Sequence, residues 1–222
     1  MIKNKFCVII LARGGSKGIK NKNIVLIKKK PLLYYSLKAA NKSSKIQKIF
    51  LSTDSKLIRK TVEDLNFAKV QVINRSNKNS RDSSTSEDAI LEFIEKINYE
   101  NIFFIQATNL FLNATIINKA ITYFINKGFD SLLSVIEGKN FSWIEKNNKF
   151  KSINYDYMNR PLRQKNKKKY YIENGSFYIF KKKGFIKYKN RLYGKIGFFE
   201  MNQNSYFDID DYEDLNIVKK LL

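Results

Sequence analysis

The stretch Phe6-Cys7-Val8-Ile9-Ile10-Leu11-Ala12-Arg13-Gly14-Gly15-Ser16-Lys17-Gly18 decides how this chain folds. An unbroken apolar run such as Phe6 to Leu11 reads as a strand buried on both faces. The glycines that follow open it into a tight loop whose N–H groups can approach a ligand closely. Arg13, Lys17 and, a few residues on, Lys22 add positive charge and forked donors beside Gly14, Gly15 and Ser16. Such a loop cradles a polyphosphate. Its spacing matches neither the G-x-G-x-x-G dinucleotide fingerprint nor the G-x-x-x-x-G-K-[ST] loop, so the expected ligand is a nucleotide other than NAD in a different cradle.

Outward from this stretch, strand-like runs recur at Lys48 to Thr53, Val70 to Asn74, Asn101 to Gln106 and Ser131 to Ile136. Helical periodicity fills the gaps between them. Pro31 reads as a first helical position ahead of Leu32, Leu33, Leu37 and Ala40, and Leu57, Ile58, Val62 and Leu65 repeat the pattern. Ser84-x-x-Glu87 reads as a capping box before Ala89, Ile90, Phe93 and Ile94, and Asn113 as the cap of a fourth helix. This alternation predicts an α/β fold, a doubly wound and mostly parallel sheet covered on both faces. It breaks at residues 137–169, which are polar and basic with scattered aromatics and read as an inserted arm. Glu173 to Phe180 reads as a strand rejoining the sheet, and Asp211 to Leu222 as a closing helix.

Composition narrows the chemistry. With 222 residues and 43% hydrophobic content, residues 1–222 suit one domain with a real core. No run of about eighteen apolar residues occurs, so the reading is a soluble, cytoplasmic protein without a membrane partner. The lone Cys7 has no disulfide partner in the chain, and the absence of histidine excludes Ser-His-Asp and Cys-His catalysis. The formal charge of +22 comes from lysines spread along the chain; the expected partner is a small anionic substrate, not nucleic acid.

Asp208-Ile209-Asp210 is the second informative segment. Residues i and i+2 of an extended segment face one side, so both carboxylates can converge on a hard cation such as Mg2+. Helix capping, with Asp210-x-x-Glu213 opening the last helix, is the other reading, and the two are compatible.

The run Ala12 to Gly18 followed by Lys22-Asn23-Ile24 resembles the opening signature of the acylneuraminate cytidylyltransferases, the CMP-sialic acid synthetases. Further segments resemble that family in the same order along nearly the whole chain. Ser52-Thr53-Asp54-Ser55 resembles its S-T-D turn, whose local role would be to cap the helix from Lys56. Arg75 with Asp82 and Ser86 resembles R-P-x-x-L-A-x-D, and Gln106 matches the glutamine of Q-P-T-S-P-L-R. Arg160 to Gln164 resembles P-R-R-Q, Glu173 to Ile179 resembles E-N-G-A-I-Y-I, and Asp208 to Asp214 resembles D-x-D-x-x-E-D. The chain departs from the pattern where Lys20, Ser76, Ala107, Leu110 and Leu112 replace prolines or an arginine.

The resemblance implies a Mg2+-dependent transfer from CTP to an acidic nine-carbon sugar, N-acetylneuraminate, with release of pyrophosphate. It implies that Arg13, Lys17 and Asp210 are catalytic and that Asp208 and Asp210 hold the metal. Nucleotide contacts would come from Arg13, Gly14, Gly15, Ser16, Lys17, Lys22, Asn23, Arg75, Ser86 and Gln106, and sugar contacts from Gln106, Arg163, Gln164 and Asn174. By the same analogy the arm would dock on a second subunit to form a homodimer, placing Phe141, Trp143 and Arg163 near the partner's site. The rivals are legionaminate, pseudaminate or octulosonate as acceptor and, from another class, a catalytically silent nucleotide- or RNA-binding protein.

Overall fold

The computed structural model describes residues 5–162, 169–206 and 209–221. From the N-terminus the chain forms β1 (Phe6–Leu11), a short hairpin of β2 (Leu26–Ile27) and β3 (Lys30–Pro31), α1 (Leu32–Lys42), β4 (Ile46–Thr53), α2 (Lys56–Asp64), β5 (Val70–Asn74) and α3 (Ser86–Ile94). It continues through β6 (Asn101–Gln106), α4 (Ala114–Lys127), β7 (Ser131–Glu137), β8 (Trp143–Lys146), β9 (Lys149–Ser152), β10 (Tyr171–Lys181), α5 (Lys182–Tyr188), β11 (Ile196–Glu200) and α6 (Tyr212–Leu221).

Seven strands make one sheet in the order β11-β7-β10-β6-β1-β4-β5, parallel except for β10, which runs against both its neighbours. Strand alternation explains why both faces are covered. Phe6, Val8 and Ile10 of β1 join a core with α1, α2 and α4, while Cys7 and Ile9 join one with α3 and α5. The chain winds from β1 to β4 on one side of β1 and returns with β6 on the other, so the sheet order reverses at β1. In open α/β sheets, ligands bind in the crevice beyond the strand ends at such a point.

A third core cluster joins the two informative segments. Ile19, just past the glycine loop, packs with Ile27, Leu32 and Leu110 against Ile209, Leu215 and Val218. Leu110, where the resembling family carries proline, is therefore anchored by packing.

Several local expectations shift. Pro31 caps α1 from outside instead of beginning it. The capping box is Thr85 with Asp88, not Ser84 with Glu87, because the Ser84 hydroxyl donates to Lys78 O and Glu87 turns to Arg191. α2 is capped from the expected turn, by Ser55, whose Oγ accepts from Ile58 N, which leaves Asp54 for another task. Asn113 caps α4 as expected. At the last helix Asp211 Oδ1 accepts from Glu213 N and Asp214 N, and Asp214 Oδ2 accepts from Asp210 N and Asp211 N. Capping thus falls to Asp211 and Asp214, and the Asp210 carboxylate is left to face the glycine loop.

Residues 137–169 contain the hairpin of β8 and β9, turned through Asn147 and Asn148 at φ 52° and 59°. Both are left-handed, the backbone that a two-residue hairpin loop requires and that asparagine tolerates. The sequence reading did not resolve α5, whose Phe185 packs on one face of the sheet, or β11, which completes the sheet beyond β7.

Candidate active site

A cleft of about 550 Å³ opens at the crevice predicted by topology, bounded by the glycine loop, the end of β6, the first turn of α3 and Asp210. Its floor is built by strand parity: Leu11 of β1 pairs with Gln106 of β6, and Phe104, two residues back, shares that face. A groove of about 620 Å³ at the far edge, between α4 and β11, is lined mainly by aromatic and aliphatic side chains. It lies away from every charged cluster that the sequence singled out.

The loop is held from beneath. Asp54 Oδ1 accepts from Gly14 N at 2.9 Å, and Asn23 Nδ2 donates to Arg13 O at 3.0 Å. Gly14 therefore turns its N–H to Asp54 and not to the cleft, while Ser16, Lys17 and Gly18 line it; Gly15 borders open space. Asn23 also reaches the cleft wall. Arg13 Nη1 and Lys17 Nζ grip the two oxygens of Asp82 at 2.7 and 2.9 Å. The hydrogen bond from Lys17, followed by its charge and by Arg13, keeps the Asp82 carboxyl below the usual carboxylate range. The pair is thus present at neutral pH and is lost only as pH falls through that depressed value.

Lys22 ties the two ends of the chain together. Its Nζ donates to Ile209 O at 2.8 Å and to Asp210 Oδ1 at 3.1 Å. A Cβ built on Gly18 would overlap the Asp210 carbonyl oxygen, so only glycine lets the loop approach this segment so closely. The Asp210 side chain is 80% exposed at the cleft mouth. Asp208, Arg163 and Gln164 lie outside the described residues. Among those described, no group of three His, Cys, Asp or Glu side chains is placed to hold a metal ion. The Asp210 carboxylate at the mouth is a hard oxygen donor, the kind that a divalent cation such as Mg2+ takes.

On the β5 side, buried Arg75 donates through Nε to Asn79 O at 2.7 Å, and Arg75, Ser84 and Ser86 line the cleft. Burial lowers the Arg75 pKa, and Asp54 partly opposes that. Gln106 ends β6 at the centre. Gly175, at φ +65° where β10 slips register, stands where a Cβ would come within 2.8 Å of Gln106 Oε1. Glycine there keeps the carboxamide's place open. Asn174 is not brought to the cleft: its Nδ2 donates to Ser205 Oγ at 2.9 Å, and its Oδ1 accepts from Ser134 Oγ at 2.6 Å.

Arg191, from the loop between α5 and β11, forms the opposite wall, and the sequence reading missed it because nothing in its lysine-rich surroundings marks it. Its guanidinium lies 4.9 Å from the Phe104 ring centre and 4.7 Å from that of Tyr178. Nε and Nη2 fork onto Glu87 at 2.6 and 2.9 Å. Burial pushes the Glu87 carboxyl up, but the fork and charge of Arg191 outweigh it and hold the group below its ordinary value. Burial, then the hydrogen bond to Glu173, raises the Tyr178 hydroxyl well above a free tyrosine.

The sequence profile of the cytidylyltransferases matches residues 7–221. The chain belongs to the cytidylyltransferase family. N-Acylneuraminate cytidylyltransferase B of Danio rerio is 38% identical over 207 residues, which are 91% of this chain and 48% of that protein. Post-translational flagellin modification protein B of Campylobacter coli is 30% identical over 227 residues, covering 96% and 93% of the two chains. The chain spans about half the length of the N-acylneuraminate cytidylyltransferases it matches. Among solved structures, a CMP:2-keto-3-deoxy-manno-octonic acid synthetase complexed with CTP superposes with TM-score 0.73 at 14% identity, over 98% of both chains. The 4-diphosphocytidyl-2C-methyl-D-erythritol synthase of Anaerococcus prevotii gives TM-score 0.71 at 14% identity, over 98% of this chain and 96% of that one. At these identities the likeness bears on the fold, which is the mostly parallel sheet read from the alternation. No helix among the described residues is long and apolar enough to cross a membrane.

Proposed function

We propose that this cytidylyltransferase joins CTP to an acidic nine-carbon sugar of the sialic acid type, N-acetylneuraminate, releasing pyrophosphate and acting in the cytoplasm, where CTP is at hand. The observation that carries the reading is the cleft at the sheet's reversal point, with Arg13, Lys17 and Lys22 on one loop and Asp210 drawn up to it by Lys22. The names of relatives matching over nine-tenths of the chain support the choice of acceptor.

In this reading the sugar's anomeric hydroxyl attacks the α-phosphorus. An O–P bond forms, the bond from the α-phosphorus to the oxygen bridging to the β-phosphate breaks, pyrophosphate departs with that oxygen, and the hydroxyl proton passes to solvent water. The chain has little covalent chemistry to do, so its work is positioning and charge neutralisation. Arg13, Ser16, Lys17 and Lys22 bind the triphosphate, with Gly15 and Gly18 allowing close approach. Arg75, Ser86 and Asn23 orient the cytidine, and Gln106 stands between nucleotide and sugar. A cation such as Mg2+, held by Asp210 and Asp208, would supply charge neutralisation at the phosphates. The sugar's carboxylate suits a forked partner, the part we give to Arg163, with Gln164 beside it.

The test is pyrophosphate release from CTP with N-acetylneuraminate, legionaminate, pseudaminate and octulosonate, each with and without magnesium. Release with N-acetylneuraminate foremost, dependent on metal, is the expected result; silence with all four sinks the reading. Gly18→Ala is expected to lower turnover about 100-fold, since the new methyl must push the loop from the Asp210 segment by roughly 1 Å. Steady-state kinetics on the folded variant checks this, and a loss under threefold refutes it.

We also propose a homodimer built through the arm. Trp143, Ile144, Phe150 and Ile153 are all about half exposed or more on this short hairpin, with Tyr155 stacked beneath on Phe141 at 4.2 Å. A patch of that kind suits burial against a second copy. Sedimentation at micromolar concentration is expected to give a dimer, and Ile144→Glu with Phe150→Glu a monomer. A monomeric wild type rules the interface out.

A further inference from the structure

The cleft has two sides, and the sheet order separates them. Arg75 follows β5 and the glycine loop follows β1, whereas Gln106 ends β6 and Tyr178 lies on β10. Arg191 therefore stands across the glycine loop from Arg75, on the side left for whatever accepts the nucleotide. Its guanidinium is fixed from below by Phe104 and Tyr178 and from one edge by Glu87 on the first turn of α3. The fork uses Nε and one hydrogen of Nη2. Among the described residues Nη1 has no hydrogen-bond partner, so both its hydrogens remain for a ligand.

We infer that Arg191 is a specificity residue for the acceptor, donating through Nη1 to an uncharged oxygen of the sugar, a hydroxyl or an acyl carbonyl, with Glu87 as its positioning residue. Charge decides the class of group. Both carboxylate oxygens of Glu87 already face the guanidinium, so a second carboxylate there would meet a pair that is close to neutral and a nearby like charge. A neutral oxygen meets a rigid, charged donor without that repulsion. The two rings beneath leave the arginine few alternative positions, so little conformational freedom is lost on binding.

The inference rests on the cytidylyltransfer reading, and the experiment separates the two. Arg191→Met keeps the stem on the rings and removes the donors; Arg191→Lys keeps the charge and loses the fork; Glu87→Gln loosens the clamp. Each variant is first checked for an unaltered circular dichroism spectrum. For Arg191→Met the KM for the acceptor is expected to rise about 10- to 100-fold while the KM for CTP stays within about twofold. Glu87→Gln should shift the same constant in the same direction, less far. Acceptor analogues each lacking one oxygen substituent then form a cycle with Arg191→Met. One analogue should cost the wild type what the methionine costs, and cost the variant nothing further. Equal rises in both KM values, or unchanged ones in an active enzyme, overturn the role of Arg191 alone. A wild type silent with every acid overturns the cytidylyltransfer reading and this inference together.

Discussion

Asp210→Asn is expected to lower kcat for pyrophosphate release by about 1000-fold while the protein melts within about 2 °C of wild type. The two halves of that expectation come from different parts of the geometry. The side chain is 80% exposed, and capping of α6 belongs to Asp211 and Asp214, so the fold asks little of this carboxylate. Its exposed pair with Lys22 is worth at most about 1 kcal/mol, and Lys22 keeps its bond to Ile209 O in the variant. What asparagine removes is the anionic oxygen at the mouth of a cleft lined by Arg13, Lys17 and Lys22. Turnover within tenfold of wild type would remove Asp210 from the catalytic set. Loss of melting temperature together with activity would make it a structural residue.

Phe103→Ala is expected to cost about 3–5 kcal/mol of unfolding free energy, a large part of the roughly 5–15 kcal/mol that a domain has. Phe103 is fully buried on β6, the strand that also ends in Gln106, and its ring stacks on Phe177 of β10 at 4.8 Å. The contact sits where antiparallel β10 joins the parallel part of the sheet, with α4 packed over it. Removing the ring opens a cavity that a strand held on both edges cannot collapse to fill. Urea unfolding should show the midpoint lowered at an unchanged slope. Leu57→Ala, on the half-exposed face of α2, should change stability by no more than about 0.5 kcal/mol. A loss under about 1 kcal/mol at Phe103 would mean that the sheet relaxes around the gap.

Gln106 links the two predictions. Its backbone is fixed by a strand that Phe103 anchors, and its side chain faces the cleft that Asp210 closes. Phe103 and Ile105 on one parity of β6 pack into one core, while on the other parity Ile102 and Phe104 pack into the second and Phe104 and Gln106 line the cleft. A substitution at Phe103 is therefore expected to leave kcat of the folded fraction near wild type.

Where the physics is local, the sequence was legible. β1 and β6 lie where apolar runs placed them, because a strand covered on both faces has no polar alternation to disguise it, and the edge strand β5 lies where its β-branched residues placed it. Asn113 caps α4 through its own side chain and a neighbouring N–H. The box at Thr85 and Asp88 was misread by one residue, because Ser84 and Glu87 fit the same pattern until Lys78 and Arg191 claim them. α5 is short and lysine-rich and β11 is broken by Gly197; both are defined by what they pack on.

By itself, then, the sequence determined the alternating α/β order, the glycine loop after β1 and the acidic segment at Asp210, since each is written in neighbouring residues through period, turn chemistry and charge. Only the tertiary structure decided that Lys22 meets Asp210 across 188 positions, that Asp54 takes the N–H of Gly14, and that Arg191 enters the cleft on Glu87. Those contacts join residues far apart in the chain, and their partners are chosen by the sheet order and by cores packed on both its faces, which no local pattern encodes.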